Sequence, residues 1–217
     1  MIERIERAAE LGVRLFQIPL PSWGTLSKKE TYAFFREVCG RFPEFRFLHY
    51  NLPRAGRLIM PHEYALLSET HPNLVGTKNA SSDINMITGL LQVSGQLRHF
   101  FTEPGFAHGS LIGECGYLIS IAVTNSKRAH EFFEAGVNKQ VDRLMSFHHE
   151  LGKMLAGLFN AVGDSTHMDG GYDKIFCKIL DPRFPLRLLP PYQGAEDEVF
   201  ETYRSLLREE FPDWIES

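Results

Sequence analysis

Two kinds of apolar pattern alternate along the chain. One recurs every three or four residues, as on a helix face, and the other is a short continuous run, as in a strand covered on both sides. Ile2, Ile5, Ala8 and Ala9 set a first helix that stops at Gly12. The run Val13 to Ile18 follows as a strand, closed by Pro19 and Pro21. Ser27 and Glu30 have capping-box spacing, and Ala33, Phe34, Phe35 and Val38 form the face of the helix they open. Phe45 to Asn51 reads as a second strand, broken by Pro53 and Gly56. Pro61 suits the first turn of a helix through Leu66 and Leu67.

The alternation continues with a third strand at Asn73 to Lys78. Ser81 or Ser82 is expected to cap a helix carrying Ile84, Ile87 and Leu91 and ending near Gly95. A fourth strand spans Arg98 to Thr102, and a short helix precedes Gly113. The apolar run Tyr117 to Val123 is expected to be the fifth strand. From Val137 to Val162 the helical period predicts one long helix, followed by helices over Tyr172–Leu180 and Glu196–Phe211 with an extended stretch, Pro182 to Tyr192, between them.

Repeated strand–helix alternation implies an α/β fold with a parallel sheet and right-handed crossovers. An open doubly wound sheet would bind phosphate at a glycine-rich first turn, and Pro19 to Gly24 is not such a turn. A (β/α)8 barrel fits better, although five strands are fewer than the eight it needs. The expectation is a single domain over 1–217, with five βα units in 1–136 and a helical region in 137–217.

Composition narrows the function. The 217 residues are 43% hydrophobic and 23% charged, with a net charge of −4 and no basic cluster, which argues against nucleic acid as a partner. No run is long and apolar enough for a membrane helix, and the charged start, Met1 to Arg7, does not resemble a secretion signal. The three cysteines, Cys39, Cys115 and Cys177, form no CxxC pair, so a reducing, cytoplasmic setting is expected. His148-His149 lacks zinc-site spacing.

Chemistry concentrates at two strand ends, His49-Tyr50-Asn51 and Gly76-Thr77-Lys78. In a parallel sheet all strand C-termini share one side, and neighbouring strands lie about 4.8 Å apart. A tyrosine hydroxyl could then reach the lysine amine. A lysine whose stem starts inside a barrel is poorly solvated as a cation, and the free amine is the form that attacks a ketone.

The runs His49-Tyr-Asn-Leu-Pro-Arg-Ala-Gly56 and Pro72-Asn-Leu-Val-Gly-Thr-Lys-Asn-Ala-Ser81 resemble the paired motifs of the dihydrodipicolinate synthase / N-acetylneuraminate lyase family. These are Schiff-base aldolases of pyruvate and related 2-keto acids, built on a (β/α)8 barrel. The resemblance implies Lys78 as the Schiff-base lysine and Tyr50 as the proton-shuttling tyrosine. It implies a backbone carbonyl of Ile119 facing the keto acid, Arg54 (or Ala55 in its place) near a second carboxylate, and Trp23 at the position of a neighbouring-subunit tyrosine. Ser120 and Asn125 match the segment around Ile119, and Arg187 to Pro190 a closing structural segment. It further implies no metal or organic cofactor and a homo-oligomer. Two departures stand out. Thr102-Glu103-Pro-Gly105 replaces a Ser-Gly-Asp turn, and the match begins in the helix after the third strand of the barrel, without the first three strands and the threonine loop that binds the keto-acid carboxylate.

Overall fold

Each predicted crossover returns the chain parallel to the strand before it. A computed structural model describes residues 1–93, 97–164 and 167–215. It divides into two compact units, Met1–Leu118 and Ile119–Ser217.

The first unit alternates α1 (Ile2–Glu10), β1 (Leu15–Pro19), α2 (Lys28–Cys39), β2 (Arg46–Asn51), α3 (Pro61–Thr70), β3 (Leu74–Asn79), α4 (Ile84–Gln92), β4 (Arg98–Phe101), α5 (Glu103–Ile112) and β5 (Gly116–Tyr117). The strands form one five-stranded sheet in the order β1-β2-β3-β4-β5, every pairing parallel. The boundaries follow local chemistry. The Ser27 side chain accepts from the Glu30 amide while Glu30 reaches back to the Ser27 amide, which closes the capping box at α2. Pro61 opens α3, where its missing N–H has no partner to lose.

Burial splits the sheet into two faces. Ile18, His49, Thr77 and His99 share one register row and are all buried. The His49 ring lies against Phe35 of α2 and Tyr64 of α3, so this row faces the helices. Phe47, Leu74 and Phe101 are fully buried within the unit, each worth roughly 1.5–3 kcal/mol of apolar burial. The adjacent row, Pro19, Tyr50, Lys78, Phe100 and Gly116, points to the other face. There a Cβ on Gly116 would lie 2.4 Å from the Phe100 ring, so the glycine makes the space that the ring fills.

The second unit comprises a 3-10 turn at Ser120–Val123, α6 (Ser126–Val137), α7 (Val141–Val162), α8 (Asp169–Leu180), α9 (Asp197–Glu210) and a last 3-10 turn, Pro212–Trp214. Leu144, Phe147, Leu151, Met154, Leu158 and Val162 make the buried stripe of α7. Arg128 joins the elements: its guanidinium pairs with Glu150 at 3.0 Å and lies over the Phe147 ring, while the Trp214 indole N–H donates to the same Glu150 carboxylate.

Three expectations need correction. The run Tyr117 to Val123 is not a seven-residue strand. Pairing stops at Tyr117, and Ser120–Val123 closes into a 3-10 turn. Periodicity cannot separate these outcomes in a short apolar run. The long helix does not begin at Val137, which ends α6. Lys139 takes φ +53 and breaks the path before α7 starts at Val141. The cap of α4 is Asp83 rather than either serine, its carboxylate accepting from the Met86 amide at 2.7 Å. The expected stop near Gly95 lies outside the described residues.

Candidate functional site

The register that aligns β2 with β3 sets Tyr50 directly beside Lys78. Both side chains are half-buried on the face away from the helices. The Lys78 Nζ lies 4.1 Å from the centroid of the Tyr50 ring, so the aromatic face stabilises the cation it stacks on. The two residues that the sequence singled out for chemistry are therefore brought together.

Around them the C-terminal loops differ in character. The Tyr50 strand runs into a short 3-10 turn, Pro53–Ala55, in which Arg54 is exposed and Ala55 buried. Gly56 follows at φ +81, and a Cβ there would lie 2.2 Å from Thr25 Oγ1, so both the backbone angle and the neighbouring loop demand glycine. Arg57 is held between both carboxylate oxygens of the buried Glu63 and Thr31 Oγ1, and Glu63 also accepts from the Met60 amide. Burial works against the Glu63 charge, but the hydrogen bonds from Arg57 and Met60 and the Arg57 charge prevail and lower its pKa. Trp23, in the loop after β1, is fully exposed.

At the end of β4, Glu103 opens α5 and is half-buried. Burial raises its carboxyl above the ordinary range, with a backbone hydrogen bond acting in the opposite sense. Burial and the Glu103 charge together raise the Tyr117 phenol. Ile119 belongs to the second unit, half-buried at the start of its first 3-10 turn. Ser120 is exposed in that turn, and Asn125 caps α6, accepting from the Arg128 amide and donating to the Asp213 carbonyl. Among the described residues, no three His, Cys, Asp or Glu side chains converge as metal ligands, and no helix is long and apolar enough to cross a membrane.

Sequence reasoning missed what lies behind Tyr50 and Lys78. Their strand neighbours Asn51, Thr77 and Asn79 are buried and joined in one chain of hydrogen bonds. The sense of the chain is fixed by the Ile59 backbone. Its N–H donates to Asn51 Oδ1 at 2.9 Å, and its carbonyl accepts from Asn51 Nδ2 at 3.0 Å. Asn51 Nδ2 donates its second hydrogen to Asn79 Oδ1 at 3.1 Å. Asn79 Nδ2 must then be the donor to Thr77 Oγ1 at 2.7 Å. The Thr77 hydroxyl is left to donate to His99 Nδ1, also at 2.7 Å. This requires a neutral His99, and burial lowers its pKa to about 4, against an opposing interaction with the Leu90 backbone. Beside the chain, His49 Nδ1 meets Tyr64 Oη at 2.6 Å, and burial lowers the His49 pKa to about 3. Polar residues on both sides of each reactive residue were the available signal, but their pairing depends on a register between distant segments.

Comparison with known proteins gives the family. The Dihydrodipicolinate synthetase family profile matches residues 2–205. A 4-hydroxy-tetrahydrodipicolinate synthase of Prochlorococcus marinus strain MIT 9313 is 26% identical over 193 residues, covering 88% of this chain and 63% of that protein. A Thermus thermophilus enzyme of the same name is 31% identical over 96 residues, covering 44% of this chain and 32% of that protein. The chain thus spans less than two thirds of these relatives. Among solved structures, a dihydrodipicolinate synthase from Bacteroides thetaiotaomicron superposes with TM-score 0.80 at 15% identity, covering 93% of this chain and 68% of the other. A prophage protein of the same family from E. coli K12, solved in complex with pyruvate, superposes with TM-score 0.78 at 14% identity, covering 94% of this chain and 68% of its own. With the family profile matched across nearly all of its length, the chain belongs to the dihydrodipicolinate synthetase family.

Proposed function

We propose that this chain carries the Schiff-base centre of a lyase or synthase acting on pyruvate or a related 2-keto acid. The observation that supports it most directly is the Lys78 amine 4.1 Å from the Tyr50 ring centroid at adjacent strand ends. In this reading the Lys78 Nζ attacks the keto carbon, a C–N bond forms, and the carbonyl oxygen leaves as water after taking up two protons. The resulting iminium withdraws electrons from the neighbouring carbon, which loses a proton to give the enamine that makes or breaks a C–C bond. Tyr50 moves protons in these steps as general acid and base. The lysine itself supplies the electron sink, so no metal or organic cofactor enters the scheme.

The five strands correspond, in this proposal, to strands four to eight of a (β/α)8 barrel, within one functional domain over 1–217 that has its βα units in 1–136. Arg54, exposed on its turn, is the residue available for a second carboxylate. Trp23, fully exposed, and the edge strand β1, with Leu15 at 59% exposure and Val13 just before the strand at 40%, support a homo-oligomer. The place of work is the cytoplasm.

A second reading, a catalytically silent member with an assembly role only, draws on Glu103. A carboxylate at the end of β4 would repel an anionic substrate, although burial works against that charge by raising the Glu103 pKa. Borohydride trapping with pyruvate, followed by peptide mass mapping, separates the two. An adduct on Lys78 is the expected result, and its absence supports the silent reading. Light scattering of the purified chain tests the oligomer.

A further inference from the structure

We propose that Asn79 is a positioning residue for Lys78, acting through the strand end on which the lysine stands. The inference rests on the Schiff-base reading above and adds to it a part for the opposite face of the sheet. Lys78 lies between Thr77 and Asn79, and both neighbours are buried on the helix side. Asn79 is the central link of the hydrogen-bond chain: it accepts from Asn51 across the β2–β3 gap and donates to Thr77 within its own strand. Thr77 in turn reaches His99 on β4. The three strand ends are thereby tied together directly behind the reactive pair.

The tie has a defined direction, because the Ile59 backbone presents one donor and one acceptor and every later group must follow. A network satisfied in only one sense holds its members in one geometry, and breaking it at the centre leaves buried polar groups on both sides without partners. Ordinary backbone pairing would keep Asn79 in the sheet without this link. What the side chain adds is the relative setting of Tyr50, which precedes Asn51, and Lys78, which precedes Asn79. The lysine stem is long and has many rotamers, so a fixed base is what limits where its amine goes. Catalytic groups need placement within about 0.5 Å, and a misplacement of about 1 Å costs on the order of a hundredfold in rate.

The test uses the full chain and three variants, with far-UV circular dichroism to verify folding. Asn79→Ala removes both side-chain bonds. Asn79→Asp keeps an acceptor for Asn51. Thr77→Val cuts the link to His99 but leaves the Asn51–Asn79 bond. Borohydride trapping at Lys78 is followed as a rate against pyruvate concentration. Asn79→Ala is expected to lower the rate at saturation by about ten- to a hundredfold, with the half-saturating concentration moved less than about twofold. Asn79→Asp, which keeps the acceptor for Asn51 but cannot donate to Thr77, should recover only part of that loss, and Thr77→Val should likewise lose less than Asn79→Ala. A folded Asn79→Ala that traps at the wild-type rate overturns the proposal, and so does one that changes only the half-saturating concentration. A second readout does not depend on imine formation. The Lys78 methylene protons should be shifted upfield in NMR spectra by the Tyr50 ring, and the shift should shrink in Asn79→Ala. If wild type traps nothing, the Schiff-base reading fails, while this ring-current shift still decides positioning: an unchanged shift in Asn79→Ala refutes it. Should Asn79→Ala not fold, Thr77→Val answers by both readouts, and wild-type behaviour there counts against the proposal.

Discussion

The two units bury different things. Among the described residues, the buried polar side chains Thr31, His49, Asn51, Glu63, Thr77, Asn79, His99 and Ser110 belong to Met1–Leu118, and only Thr124 to Ile119–Ser217. The helical unit is held by apolar stripes and by ion pairs such as Arg128 with Glu150, which stays partly open to water. The sheet unit takes polar groups out of water and ties Asn51, Asn79, Thr77 and His99 together by hydrogen bonds, which fixes their geometry. Polar burial collects behind Tyr50 and Lys78, where the proposed chemistry needs fixed positions.

The largest effect expected is at the surface of that contrast. Lys78→Arg keeps a cation able to stack on the Tyr50 ring but has no amine that condenses with a ketone. Trapping should disappear completely while the melting temperature stays within a few degrees of wild type. Retained trapping would move the Schiff base to another lysine.

Next comes acid. His49 and His99 have folded-state pKa values lowered to about 3 and about 4, against an ordinary value of 6.5. Above pH 6.5 neither folded nor unfolded chain holds the extra protons. Below it the unfolded chain binds them and the folded one does not, so stability falls as pH drops from about 6.5 toward about 3. A tenfold change in proton affinity corresponds to about 1.4 kcal/mol, so the two histidines together account for a loss of several kcal/mol. Amide exchange should show the loss in β2, β3 and β4, and His49→Phe should flatten the slope. The helical unit contains neither His49 nor His99, and its amides should respond less. An equal response in both units would erase the contrast.

A smaller effect probes the helical side. Glu150→Ala strips Arg128 of its nearest carboxylate and the Trp214 indole of its acceptor. Arg128 stays partly solvated, but Trp214 is buried and its indole N–H is left without that acceptor, so the cost should be about 1–3 kcal/mol in urea denaturation. The smallest is Ser27→Ala at the α2 capping box, about 1 kcal/mol by the same measurement. A Glu150→Ala cost below that of Ser27→Ala would show the cluster to be incidental.

Much of the sheet unit was legible because its signals are local. Ser27 with Glu30, Pro61 and the apolar runs of β1 to β4 state their roles within a few residues. The Tyr50–Lys78 pairing followed once those strands were taken as neighbours. The misreadings share a cause. Tyr117 to Val123 is apolar in either conformation, and only the end of pairing at Tyr117 separates strand from turn. Lys139 carries no sequence mark of its positive φ, so Val137 and Val141 looked like one helix. Asp83 took the cap from two serines equally able to hold it. The polar chain from Ile59 to His99 was beyond reach, since it joins four segments through a register that no single segment encodes.

The bond pair between Asn51 and the Ile59 backbone has a consequence for engineering. Asn51 offers an acceptor and a donor side by side, as a facing backbone would, and so closes the segment from Leu52 to Leu58 at its base. Such a closed segment is a cassette. Lengthening a surface loop costs little, roughly 0.6 kcal/mol for each doubling. Residues inserted at the exposed Pro53–Arg54 apex should therefore change the length of the loop while leaving Tyr50 where it is.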